Sequence, residues 1–141
     1  MILNTTYKNK DHDHLLNNLV GKPYSFIQSI RLGGTGSKRM IVDEASANMH
    51  DYFSKTNSLN YANIELRPQG VLVRINKGLQ NFTWAIPYYQ LVLYKTDGCS
   101  IHAQGKFVHF RNNKTFKENK LFLDRLLEKK AAFLERYSFQ D

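Results

Sequence analysis

The sequence predicts an α+β fold. The expected form is an antiparallel β-meander, a curved sheet or partly open barrel, with a helical segment before it and an amphipathic C-terminal helix capping it. Three observations lead there. Apolar spacing changes from about 3.6 residues to 2 near Tyr61, turn signals recur about every ten residues as far as residue 112, and an apolar stripe at helical spacing follows Thr115.

From the N-terminus, Asp11 to Leu19 reads as a short helix, Tyr24 to Leu32 as a strand or second helix, and Gly33 to Gly36 as a break. Ile41, Val42, Ala45, Met49, Tyr52 and Phe53 recur at three- and four-residue spacing. That pattern predicts an amphipathic helix over Ser37 to Phe53 with Ser37 as N-cap, followed by a polar connection over Ser54 to Asn60. The expected organisation is a helical extension over residues 1–60 packed on a sheet built from 61–141, within one compact domain.

The meander is punctuated by Arg67-Pro68-Gln69-Gly70, with Pro second and Gly fourth as a type I turn prefers. Lys77-Gly78, Asp97-Gly98 and Gln104-Gly105 are two-residue hairpin candidates in which Gly supplies the positive φ. Each loop fixes a register. Lys77-Gly78 sets Val73 against Phe82 and Val71 against Trp84, and Asp97-Gly98 sets Tyr94 against Ile101. Gln104-Gly105 sets Ile101 against Val108 and Cys99 against Phe110. One apolar face results, while Leu91, Leu93, His102, Phe107 and His109 fall on the other. That second face is too apolar to be fully solvated, so the N-terminal segment is expected to cover part of it. Thr115-Phe116-Lys117-Glu118 has the form of a capping box. Leu123, Leu126, Leu127, Leu134 and Tyr137, widened by Phe122 and Phe133, then form the stripe of the closing helix.

Six short strands followed by a capping helix, with Ile86-Pro87-Tyr88-Tyr89-Gln90-Leu91 entering a middle strand, resemble the bacterial pleckstrin-homology-like domains over residues 61–137. The resemblance implies a non-enzymatic scaffold that presents loops and a sheet edge to lipid headgroups, peptides or other subunits. In lipid-binding members a long basic loop joins the first two strands. The connection that corresponds here on this reading, Pro68-Gln69-Gly70, is short and uncharged, which speaks against phosphoinositide binding.

The chain has 141 residues, a single cysteine and a net charge of +8, from 20 Lys and Arg against 12 Asp and Glu. This excludes an intramolecular disulfide framework and favours anionic partners. Residues 1–70 hold eight basic and six acidic side chains, and 71–141 hold twelve and six, so the excess of +6 lies in the second half. With no charged n-region followed by an apolar stretch, the expected location is cytoplasmic, and the sequons at Asn4, Asn81 and Asn113 carry no weight.

Few residues carry chemistry. Gly33-Gly34-Thr35-Gly36-Ser37-Lys38-Arg39 lets backbone amides converge on an anion ahead of a helix, so Gly34, Gly36, Ser37, Lys38 and Arg39 form a candidate anion site. Its spacing fits neither a Walker A loop nor a dinucleotide loop. Asp11-His12-Asp13-His14 has metal-type side chains pointing in divergent directions, and Cys99 and His102 fall on opposite faces of one strand. His102 and His109 share a face without a third ligand. No metal, cofactor or catalytic triad is expected, and His50 stands alone. Tyr88 and Tyr89, near Lys95 and Lys106, could stack bases. The leading expectation is a binding or assembly module for a protein partner or a second copy. Its candidate surface is Tyr88, Tyr89, Leu91, Leu93, His102, Phe107 and His109. The alternatives are nucleic acid or an anionic lipid surface bound by the basic half, and a small anion at the glycine loop.

Overall fold

In a computed structural model, which describes residues 1–55 and 59–138 (without the side chains of 137 and 138), eight strands form one antiparallel sheet. They are β1 (Ile2–Asn4), β2 (Met40–Ala45), β3 (Asn60–Arg67), β4 (Gly70–Lys77), β5 (Gln80–Pro87), β6 (Val92–Tyr94), β7 (Cys99–Ala103) and β8 (Lys106–Phe110). Their order across the sheet is β1-β5-β4-β3-β2-β8-β7-β6. Helices α1 (Lys10–Val20) and α2 (Phe26–Arg31) precede β2, and α3 (Lys114–Lys117) and α4 (Lys120–Ser138) end the chain. The predicted α+β class, the open antiparallel sheet and the C-terminal helix are all present.

The expected helix over Ser37 to Phe53 is instead strand β2 followed by a 3-10 turn over Ala47–Tyr52. Met40 and Val42 alternate inward along the strand, and Met49 and Phe53 are buried from the turn, so the same residues satisfy a helical spacing by coincidence. Tertiary pairing decides the outcome: β2 bonds to β3 through Met40–Val42 and to β8 through Val42–Ala45, with a register shift between Val42 and Glu44. Ser37 is not an N-cap. Its amide donates to the Ile64 carbonyl and its hydroxyl accepts from the Ile64 amide, both at 2.8 Å. The meander therefore begins at Met40 rather than Tyr61, and the connection between its first two strands is residues 46–59. Part of the predicted polar connection, residues 56–58, lies outside the described residues.

The turns set the register. Gln104-Gly105 forms the predicted hairpin, with Ile101 opposite Val108 and Cys99 opposite Phe110. Between β4 and β5 the loop is Gly78-Leu79, one residue later than expected, which pairs Val73 with Trp84 and Ile75 with Phe82. That two-residue change in register keeps every side chain on its predicted face. Between β6 and β7 the connection is four residues, and Leu93, not Tyr94, faces Ile101. A one-residue slip exchanges faces, so Leu93 packs against the core, and Leu91 is buried beside it.

Inside the curl lie Trp84, Tyr88, Ile64, Leu66, Ile86 and Phe110, closed at one end by Phe122, Leu123 and Leu126 of α4. The cap of α3 is Asn113, whose side chain accepts from the Phe116 amide, and not the expected Thr115 box. Leu134 of the predicted stripe is exposed, and the Tyr137 side chain lies outside the described atoms. Buried Asn119 accepts from the Lys38 amide at 2.9 Å and donates to the Lys38 carbonyl at 3.2 Å, tying the start of α4 to the entry of β2.

Helix α1 does cover the outer sheet face, but over β4 and β5, where Leu16 and Val20 meet Leu72 and Ala85. A polar network anchors it beside that contact. Glu65 accepts from Arg67 Nε at 2.6 Å and from Arg74 Nη2 at 3.2 Å, while Arg67 Nη1 donates to Asn17 Oδ1 at 3.0 Å and to the Gly21 carbonyl at 2.9 Å.

The seam left by the open sheet is spanned by Gln104. Its Oε1 accepts from Trp84 Nε1 at 3.1 Å and from the Met1 ammonium, and its Nε2 donates to the Ala85 carbonyl and to Gln90 Oε1. Gln104→Ala strips the Trp84 indole of its acceptor and is expected to cost about 2 kcal/mol in urea unfolding. A cost within about 0.5 kcal/mol of zero would show that the seam is held without it.

Candidate functional site

The residues expected to bind separate into groups with different surroundings. In the glycine loop, the amides of Gly33, Gly34, Ser37 and Lys38 donate to Ile30, Ser29, Ile64 and the Asn119 side chain, respectively. Gly36 forms a β-bridge with Glu65. Lys38 pairs with Glu118 at 3.4 Å, and the Arg39 guanidinium lies 4.3 Å from the centre of the Tyr61 ring. The loop runs into a strand, so the helix N-terminus expected to follow it is absent.

Tyr88 and Tyr89 point apart. Tyr88 is buried and its hydroxyl donates to the Arg67 carbonyl at 2.9 Å, whereas Tyr89 stands in solvent. Burial, with Tyr24 adding to it, raises the Tyr88 phenol well above its ordinary value. On the outer face of β6–β8, His102 stacks on Phe107 with ring centres 5.1 Å apart and meets the Tyr94 ring edge-on at 4.8 Å. His102 and His109 share this face, as expected, but His109 is engaged elsewhere: its Nδ1 lies 2.6 Å from Asp43 Oδ1. On α1, Asp11, Asp13 and His14 are exposed, while His12 turns a buried Nδ1 inward without a partner among the described residues. Cys99 is buried in the sheet.

Three exposed large apolar side chains lie together on α2, which the sequence marked only as a strand or helix. Ser25 caps it in a capping box with Gln28, and the amides of Leu32 and Gly33 close its C-terminal end. None of its residues is buried. Phe26 is 80% exposed, and Ile27 and Ile30 are each 63% exposed. A six-residue helix has little stability of its own. This one is held by its flanks: Tyr24 packs against the core, and Arg125 of α4 donates to the Gly33 carbonyl at 3.2 Å.

The segment that carries α2 is basic in sequence. No acid occurs between Asp13 and Asp43, and that stretch carries Lys22, Arg31, Lys38 and Arg39. Lys129 adds its ammonium 5.5 Å from the centre of the Tyr24 ring. The sequence signal for this surface is the 29-residue acid-free stretch around Phe26-Ile27, which a charge count by halves conceals. No protein-family model, curated protein or solved structure matches the chain. Among the described residues no helix is long and apolar enough to cross a membrane.

Burial lowers the His109 pKa, but the hydrogen bond and charge of Asp43, with help from the Thr96 and Asp97 carbonyls, raise it further, and the net shift is upward. A folded-state pKa above the unfolded value means that the pair stabilises the fold below about pH 6.5. That contribution is lost as pH rises through the folded value. The stability difference between wild type and His109→Gln is therefore expected to be largest near pH 5.5 and to shrink by pH 8.5, as read by urea midpoints. A difference that grows with pH contradicts the assignment.

Burial pushes the Cys99 thiol up to about 11, against a smaller opposing pull from Lys95. At pH 8 the native protein is expected to react with iodoacetamide at least about 100-fold more slowly than the urea-unfolded chain. Equal rates would place the thiol at the surface.

Proposed function

We propose that this protein is a non-enzymatic interaction module, and that it docks a protein partner through α2. The observation that carries the reading is a six-residue helix with no buried residue that holds Phe26, Ile27 and Ile30 in solvent. Large apolar side chains at positions i, i+1 and i+4 suit a hydrophobic groove on a partner, and the surrounding Lys and Arg suit an acidic rim on that groove. A second copy is a poor occupant of this surface. Two copies meeting here would bring Lys22, Arg31 and Arg39 against the same three charges, Lys38 being paired with Glu118, and like charges across an interface are costly.

The strand order supports the resemblance to bacterial pleckstrin-homology-like domains. In the seven strands from β2 to β8 the first and last are paired, and a helix follows the last. The corrected first connection, residues 46–59, carries Lys55 as its single Lys or Arg, alongside Asp51. A phosphate grip at that loop therefore has no more support than it had on Pro68-Gln69-Gly70.

The charge around α2 favours a second reading, docking on an anionic lipid surface with Phe26 and Ile27 inserted below the headgroups. Photo-crosslinking from position 27 in cells of the native source separates the two readings. One dominant protein adduct is expected from position 27 and none from exposed Leu121 on α4, and Phe26→Ser with Ile30→Ser is expected to abolish the adduct while leaving thermal stability within about 0.5 kcal/mol. Adducts confined to lipid would favour the membrane reading. Adducts from Leu121 as strong as those from position 27 would remove α2 from both.

A further inference from the structure

The network that anchors α1 also opens onto a cavity of about 310 Å3 between that helix and the outer sheet face, lined by Thr5, Lys8, Asn9, Asp13, Arg67 and Arg74 among others. Its chemistry is set by Arg67, which is only 5% exposed. A guanidinium at that depth needs its donors satisfied. Glu65 is the only carboxylate bonded to either arginine among the described residues, and it is shared between them. Arg67 Nη2 and Arg74 Nε have no hydrogen-bond partner among the described residues. The local sum of Arg67, Arg74 and Lys8 against Glu65 and Asp13 is one positive charge.

We infer that this cavity binds a small monocarboxylate, whose oxygens accept from the free guanidinium edges of Arg67 and Arg74. Planar guanidinium and carboxylate match in geometry, and one negative charge brings the local sum to zero. A phosphate dianion overshoots that sum. The volume lies at the lower end for ligand sites, which suits a molecule of a few carbons. Because Asn9, Asp13 and Asn17 line the same space, the bound carboxylate rests against α1 as well as the sheet.

Titration of the full chain with sodium propionate at constant ionic strength, read by the Arg Nε–Hε resonances, tests this. Sodium phosphate and sodium chloride serve as comparison salts. Saturable propionate shifts at Arg74 are expected, with phosphate and chloride giving only linear drift. Arg74→Gln is expected to weaken propionate at least about tenfold. Lys8→Gln, which breaks none of the network's hydrogen bonds, is expected to weaken it about threefold and keeps the test valid if the first variant unfolds. Linear propionate shifts overturn the inference, as does saturation by phosphate in place of propionate. Affinity unchanged in Lys8→Gln and in any folded Arg74→Gln overturns it equally.

Discussion

The structure depends on one strand serving two neighbours. Strand β2 pairs with β3 through Met40–Val42 and with β8 through Val42–Ala45, Val42 serving both, and the register with β8 shifts between Val42 and Glu44. A bulge bends a strand and increases its twist, so the apolar face of the β3–β5 half turns toward that of the β6–β8 half. The core follows from that bend. Trp84 from one half and Phe110 and Ile101 from the other share a single interior, which Phe122, Leu123 and Leu126 close at one end. What strand pairing leaves open is the seam, and there a side-chain amide replaces a backbone ladder. Gln104 supplies two donors and an acceptor across the gap from a turn in which its own φ is +57°. A non-glycine residue in that conformation carries strain, and the bonds it makes offset that strain.

How much of this was legible in the sequence varies with how local the determining interaction is. The β7–β8 hairpin was readable to the residue, because Gln104-Gly105 and the alternation on either side agree. The β4–β5 hairpin was readable in its faces but not its register, since Gly78 at φ +58° opens the loop rather than ending it. The β6 strand was misread because four connecting residues replace two, and a single-residue slip exchanges Leu93 for Tyr94 at the core. Strand β2 was not legible at all. Met40, Val42, Met49 and Phe53 fit a helical spacing as well as a strand followed by a turn, and the choice is made by β3 and β8, which are distant in sequence.

The candidate surface shows a similar division. The aromatic face of His102 and Phe107 was read correctly as outward, yet α1 covers Leu72 and Ala85 instead, because β4 and β5 offer it the apolar outer residues and β3 and β4 offer it the Glu65–Arg67–Arg74 cluster. A sum of charge by halves points to the C-terminal half. In the folded chain, however, Arg111 lies 3.8 Å from Asp43, an acid of the first half, so part of that excess is locally balanced. The acid-free stretch around α2 has a smaller total but few such partners, and field strength at a surface depends on that local balance more than on the sum.

Arg67 ties the end of α1 to the sheet. Its Nη1 holds the carbonyl of Gly21, the residue that ends α1 with φ +90° and packs beside Pro68. Only Lys22, Pro23, Tyr24 and Ser25 separate that anchored carbonyl from the first residue of α2. Pro23 fixes its own φ and biases Lys22 toward an extended conformation, so the short link transmits position instead of absorbing it. Tyr24 then sets its ring against the core, and Arg125 fixes the far side through the Gly33 carbonyl. A helix too short to be stable alone, and without a buried residue, is thus placed from both ends by two arginines. The exposure of Phe26, Ile27 and Ile30 is accordingly a property built into the fold, because nothing in these anchors depends on those three side chains.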